Sequence, residues 1–410
     1  MHVGIEAINI YGGLAYIDVK TIFEKRGLDL ERFNNLMMKK KTVGLPCEDA
    51  ITYAVNAAKP IIDNLSPEEK DKIEMVITGS ESAIDVGKSL STYVHDYLKL
   101  NRNCRLMELK QCCYSGTGAL QMASCFIASQ ASPGAKALVL ASDSLPNLKN
   151  TYAEPSTGLG AVAMLVSAKP EILELDFGAN GYYGYEVMDF VRPTPTCEYA
   201  NIDLTIFSYL DCVENSYKNY RKRIKDVDYQ KTFDYLAFHT PFAGMVKGAH
   251  RKMMRSMYPQ LLPNLIEEDF LKRVNPSLSY CAEVGNIAGG SLYLALCGII
   301  DSVQIQEMKR VGLFSYGSGC ASEFYSGTIT PKSQEVLSQM KIREKLDNRY
   351  KLNFEEYDKL LDLYAEWIIP EENKEVDFAA YHTIYEHSLQ GKGLLILKGI
   401  RKYHREYAWS

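Results

Sequence analysis

Residues 110–119 read Lys-Gln-Cys-Cys-Tyr-Ser-Gly-Thr-Gly-Ala, a set of types suited to acyl transfer. The two thiols follow a possible strand over 105–109. They directly precede an apolar run from Ser115 that reads as a buried helix. A cysteine at a helix mouth feels the partial positive charge of the helix, which favours thiolate. The first N–H groups of a helix have no intrahelical acceptor and can bind an oxyanion. Ser115, Gly116, Gly118 and Ala119 are small enough to let a substrate or a second helix approach. Cysteine is also a common core residue, so Cys112 and Cys113 can be read as packing.

Three further places carry chemistry. In Ile77-Thr-Gly-Ser-Glu-Ser82 a strand ends at Gly79 and puts Glu81 at its carboxyl end, where functional groups of open α/β sheets collect. A carboxylate shielded from water there suits a general acid or base; a solvated loop carboxylate is the plain alternative. In Leu236-Ala-Phe-His-Thr-Pro-Phe242 an apolar strand delivers His239 to a turn set by Pro241, for proton transfer or as a hydrogen-bonded core histidine. Two glycine-bounded turns, over 284–291 and 314–320, put Asn286 before a buried helix and gather small residues around Ser318.

These side chains need a scaffold. Apolar runs rich in β-branched residues predict strands over 3–10, 73–78, 137–141, 161–166, 233–238, 311–314 and 393–397. Helical patterns fall over 21–25, 49–65, 115–130 and 288–301. The alternation implies an α/β sheet buried on both faces. Two halves, about 1–175 and 225–410, share a strand, a glycine-containing turn and a buried helix, without a residue-level repeat. We therefore expect one domain over 1–410. Two stretches look added: a tyrosine-rich one over 180–223, expected to be mostly surface loop and helix, and a charged one over 332–375, expected as an exposed layer.

The chain has 410 residues and a formal net charge of −5, which argues against nucleic acid as a main partner. No apolar run is long enough to span a membrane, and residues 1–13 read as a strand rather than a signal peptide. The ten cysteines include no C-x-x-C pair and no zinc spacing, so no metal site is expected and most thiols should be reduced. A cytoplasmic location follows as the expectation.

Taken together and in this order, the motifs resemble those of the HMG-CoA synthases, members of the thiolase superfamily. Cys113-Tyr-Ser-Gly-Thr117 matches the family's nucleophile motif, residues 80–89 its glutamate motif, and Phe238-His-Thr-Pro-Phe242 its histidine motif. Gly285-Asn286 and residues 315–319 match two further motifs. The resemblance implies a thiolase-like α/β fold of two similar halves in a layered αβαβα core. It implies Cys113 as nucleophile, Glu81 as base and His239 with Asn286 on the acceptor, with an oxyanion site at the Cys113 and Ser318 N–H groups. Of the two thiols it selects Cys113, the one beside Tyr114, and leaves Cys112 to packing. Residues 178–189 and 244–251 look like the branch of polyketide pathways that installs β-branches on carrier-bound chains. Where HMG-CoA synthases carry lysines for the CoA phosphates, this chain has Gly244 and Gly248. Fewer cations suit pantetheine on a carrier protein better than a free CoA nucleotide.

The implied partners are an acetyl-loaded donor carrier protein, an acceptor carrier protein of a polyketide synthase module and a second copy in a homodimer. No cofactor is implied beyond the phosphopantetheine or CoA that carries substrate. Carrier proteins are acidic, so basic docking residues are expected, with Arg32, residues 39–41, Lys247, Arg251 and Lys252 as candidates. Residues 141–155 are shorter than the matching family segment and have no aromatic before Tyr152. Either the loop is trimmed or part of it is absent from this chain. The rival readings are an HMG-CoA synthase of primary metabolism using acetyl-CoA and acetoacetyl-CoA, a ketoacyl synthase III, and a catalytically silent carrier-binding scaffold.

Overall fold

The computed structural model describes residues 2–82, 84–145 and 148–410. Ala83 of the glutamate motif and Pro146 and Asn147 of the short segment lie outside the described residues. Five strands of the N-terminal half run side by side in the order Gly4–Tyr11, Gly160–Ser167, Lys136–Asp143, Ile73–Gly79, Arg105–Leu109. Four from the C-terminal half follow the order Leu173–Gly184, Ala321–Ile329, Lys309–Gly317, Tyr235–Phe238. The groups join through two residue pairs, Gly4 with Glu174 and Ile5 with Leu173. All seven expected strands are present, displaced by a few residues at their ends.

Lys136–Asp143 and Gly160–Ser167 are buried at every residue, as apolar strands covered on both faces must be. The helix Ala50–Asp63, started by a capping box between Asp49 and Thr52, covers the outer face of the N-terminal group. Ile202–Arg223 covers the outer face of the C-terminal group. Between the groups lie the helices Ser115–Ala128 and Ser291–Ser302. The layers are therefore αβαβα, the thiolase-like arrangement that the motifs imply. The first inner helix meets the turn leading into the second at glycines: a Cβ on Gly116 would lie 2.5 Å from the Gly289 carbonyl oxygen. Beside that contact, the Thr117 and Tyr293 hydroxyls hydrogen-bond at 2.9 Å.

The expectation for 180–223 needs correction. Ile202–Arg223 buries Tyr209, Tyr217 and Tyr220, which pack with Phe233, Phe314 and Phe324 as a second core cluster. For two of them the apolar ring is buried while the hydroxyl finds a partner, Ser326 for Tyr220 (2.8 Å) and the His239 carbonyl for Tyr209 (2.7 Å); the Tyr217 hydroxyl has none among the described residues. Ahead of that helix, Phe190–Thr194 and Cys197–Ala200 form a hairpin. The charged segment 332–375 is exposed on one side only: its helix Phe354–Ala365 buries Tyr357, Leu360 and Tyr364.

Candidate active site

Cys113 lies two residues ahead of the Ser115–Ala128 helix, in a tight turn. The Tyr114 N–H donates to Gln111 O and the Ser115 N–H to Cys112 O, both at 3.1 Å. Cys112 holds φ at 44°, a left-handed conformation uncommon for a residue with a Cβ. Three element ends close on this turn at contact so tight that only glycine fits. A Cβ on Gly79 would sit 2.5 Å from the Ser115 carbonyl carbon, and one on Gly289 2.8 Å from Ser115 Oγ. A Cβ on Gly317 would sit 2.5 Å from Gln111 O and 2.6 Å from Tyr114 N. Glu81 is two residues past Gly79, Asn286 three before Gly289, and Ser318 one past Gly317. His239 arrives beside the same strand end: its N–H donates to Phe314 O at 2.8 Å, where Tyr235–Phe238 runs parallel to Lys309–Gly317.

Glu81 is not the solvated loop carboxylate of the plain alternative; its side chain is 9% exposed. Its backbone N–H donates to Asp143 Oδ1 at 2.7 Å, and the Ser80 and Ser82 hydroxyls bind the same oxygen. Arg192 Nη1 reaches Glu81 Oε1 at 3.0 Å while Arg192 Nη2 reaches Glu198 Oε2 at 2.9 Å. Glu81 Oε2 is buried with no partner among the described residues. Burial pushes the Glu81 carboxyl up, Arg192 draws it back, and the balance stays above the ordinary value. Asp143 rises to about 7, through burial first and then the Glu81 charge. The Cys112 thiol also contacts Glu81, so Cys112 is more than packing.

The thiolate expected at the helix mouth is not the resting state. Burial and then the Glu81 charge push the Cys113 thiol well up. A helix end carries about half a charge and acts over its first turn, which a full carboxylate and desolvation outweigh.

His239 has different surroundings. Its ring is buried, its Nδ1 has no partner among the described residues, and burial alone draws its pKa down to about 3. The imidazole is therefore neutral. Asn286 Oδ1 accepts from the Ala288 N–H (3.0 Å) and Ser291 Oγ (2.9 Å), so the side-chain amine is its remaining donor. Ser318 O accepts from Gln111 Nε2 at 3.3 Å. Fully buried Asp189 holds that turn, accepting from Tyr316 OH (2.7 Å) and the Gly319 N–H (2.9 Å).

Sequence reasoning missed Asp143, Arg192 and Asp189. Asp143 had a signal, since it ends the strand beside the one that carries Glu81. Asp189 closes the stretch 178–189 that the resemblance singled out without giving it a role, and Arg192 had no signal, because it lies in a segment read as surface.

Of the basic candidates, Arg32 lies on the helix Leu30–Leu36, its guanidinium 4.7 Å from the Tyr152 ring. Lys247 and exposed Arg251 lie on Ala243–Met257, with Lys247 paired to Glu267 at 2.6 Å. Lys252 donates to Leu210 O at 3.0 Å. Lys41 leaves the docking set: it is buried and donates to Glu154 O at 2.6 Å. The two helices touch at Gly244, where a Cβ would fall 1.8 Å from Asn35 O, whereas a Cβ on Gly248 meets nothing within 4 Å. Among the described residues no His/Cys/Asp/Glu group could hold a metal ion, and no helix is long and apolar enough to cross a membrane.

Family profiles for the N-terminal and C-terminal parts of hydroxymethylglutaryl-coenzyme A synthase match residues 1–171 and residues 173–262 with 259–408. The polyketide biosynthesis 3-hydroxy-3-methylglutaryl-ACP synthase PksG of Bacillus subtilis is 54% identical over 99% of both chains. The hydroxymethylglutaryl-CoA synthase of Enterococcus faecalis is 33% identical over 87% of this chain and 91% of its own. The crystal structure of the curacin pathway HMG synthase in complex with acetyl donor-ACP matches with a TM-score of 0.97 at 52% identity, covering 100% of each chain.

Proposed function

This chain belongs to the hydroxymethylglutaryl-CoA synthase family, and from that premise we propose that it is a carrier-dependent condensing enzyme of polyketide β-branching. Cys113 attacks the thioester of an acetyl-loaded donor carrier, taking the acetyl group and releasing the carrier thiol. The N–H groups of Cys113 and Ser318 receive the oxyanion, since those of Tyr114, Ser115 and Gly319 are already bonded. Glu81 Oε2, the oxygen without a partner, removes a proton from the acetyl methyl, and the enolate attacks the β-ketone of a carrier-bound acceptor. An N–H without an acceptor is the worse orphan, so the His239 proton belongs on Nε2, leaving Nδ1 as a bare lone pair. With Asn286, that N–H polarises the ketone and hydrogen-bonds to the new alkoxide, which takes up the proton that Glu81 removed. Water then cleaves the enzyme thioester, leaving the branched product with a free carboxylate and restoring the thiol.

The close seat at Gly244 carries the choice of carrier over CoA. With Asn35 O where a side chain would begin, no lysine stands there unless Leu30–Leu36 moves. A CoA nucleotide brings several negative charges that a lysine would meet; pantetheine on a carrier lacks the nucleotide. Arg32, Lys247 and Arg251, on the two helices that meet at Gly244, are our docking residues for acidic carriers. The test is acetyl transfer to Cys113 from acetyl-carrier protein and from acetyl-CoA in parallel. Strong preference for the carrier is the expected result. Preference for CoA would move the enzyme to primary metabolism, and no transfer from either would leave only a carrier-binding scaffold.

Arg105–Leu109 ends the strand order with one open edge, and a second copy is the partner we assign to it. Light scattering that returns a monomer would reject the homodimer. All ten cysteines are free thiols, which suits the cytoplasm.

A further inference from the structure

We propose that Arg192 is a positioning residue for Glu81: it grips one carboxylate oxygen and so leaves the other, Oε2, free to take the proton. The inference rests on the reading of Glu81 as the base.

The hairpin Phe190–Thr194/Cys197–Ala200 brings Arg192 over the site, its guanidinium also 5.0 Å from the Phe190 ring. One nitrogen, Nη1, reaches both Glu81 Oε1 (3.0 Å) and the Glu81 backbone carbonyl (3.4 Å). Two contacts from one nitrogen fix the side chain relative to its own backbone. Arginine and carboxylate often pair fork to fork, which uses both oxygens. Here the other end of the fork, Nε and Nη2, is turned to Glu198 Oε2 at 3.1 and 2.9 Å. Glu198 thus sets the angle of the guanidinium, and Glu81 Oε2 stays buried without a partner among the described residues. A lysine could supply the charge but not the planar fork.

The charge balance supports the geometry. Glu81 faces Glu198 and Arg192 from the hairpin, Asp143 from the end of the neighbouring strand, and Cys112 and Cys113 from the turn. Among these, Arg192 is the one cation. Burial and Glu198 favour a protonated Glu81; Arg192 opposes them. A base must be ionised to act, so this cation sets the pH below which condensation fails.

The experiment uses the full-length enzyme as Arg192→Met, Arg192→Lys and Glu198→Gln. Acetylation of Cys113 is read by intact mass, and single-turnover condensation of the acetylated enzyme is followed across about pH 5–9. Arg192→Met should still acetylate at Cys113, more slowly because Arg192 also draws that thiol down, while the acid limb of its condensation moves up by about one to three units. Condensation on the acid side of neutrality should then fall about 10²-fold. Arg192→Lys should recover part of the shift. Glu198→Gln removes a negative charge and should move the limb the other way, to lower pH. Hairpin damage alone would not give shifts of opposite sign. An unshifted limb in both Arg192→Met and Glu198→Gln overturns the inference, and if Arg192→Met does not fold, the sign from Glu198→Gln decides. Glu81→Gln run alongside separates the premises: if it still condenses, the base reading fails. If it does not condense and the limbs stay put, only the role of Arg192 fails.

Discussion

Two walls face the Cys113 turn, and they are made of different matter. The N-terminal wall is crowded with charge: Glu81, Asp143, Arg192 and Glu198 interact within one hydrogen-bonded cluster. The C-terminal wall carries Asn286 and, next to Phe238 of the tyrosine-and-phenylalanine cluster, His239, on which burial acts unopposed. An ionised base in a dry place needs counter-charge and donors to hold it; a group that polarises a ketone must keep its own proton. On our reading the first wall removes a proton and the second receives the acceptor. The contrast therefore divides the reaction into two halves that single substitutions can separate.

The largest effect falls on the turn that both walls share. Cys113→Ala should leave no acetyl-enzyme by intact mass and reduce turnover by a factor on the order of 10⁴ or more, the scale of a lost nucleophile. Acetyl transfer by that variant would remove the nucleophile from the scheme. Glu81→Gln comes next and breaks the charged wall alone. The acetyl-enzyme should accumulate while condensation falls roughly 10²–10⁴-fold, the range of a lost general base. If acetylation falls in step with condensation, the two halves are not separable at Glu81.

His239→Asn should cost condensation about 10²-fold, as removal of one donor to a developing oxyanion does. Its pH profile is the sharper readout. His239 is held near 3, so it stays neutral across the working range and contributes no limb. The raised Glu81–Asp143 pair supplies the acid limb: rate is lost as pH falls through a range higher than an ordinary carboxylate's. The limb should survive in His239→Asn. Its disappearance would make the second wall an ionising one and collapse the contrast.

The charged wall was only partly legible in the sequence, the neutral one almost wholly. His239 and Asn286 sit beside Pro241 and Gly285, local punctuation that marks strand and helix ends. Glu81 and Cys113 were legible for the same reason. Arg192 was not, because its place depends on a hairpin more than 100 residues from Glu81 in sequence. The tyrosines of Ile202–Arg223 misled because their hydroxyls read as surface, and the partners of Tyr209 and Tyr220 come from segments distant in sequence. The thiolate misled differently: the helix mouth is where the motif says, but burial, followed by the carboxylate at the end of the adjacent strand, decides the charge.

The smallest expected effect tests how the turn tells its two thiols apart. Cys112 contacts the Glu81 carboxylate, and burial followed by that charge raises its thiol pKa. Its left-handed backbone is set by the turn, with Ser115 N–H on its carbonyl, rather than by its side chain. Serine keeps the size and a donor to Glu81 but cannot form a thioester. Cys112→Ser should therefore acetylate fully at Cys113 and lose less than about tenfold in condensation, a loss confined to the hydrogen bond it perturbs. Peptide mapping of the acetylated parent should find the group on Cys113. An acetyl group on Cys112, or a Cys112→Ser enzyme that no longer acetylates, would exchange the roles of the two thiols and put the nucleophile on the charged wall itself.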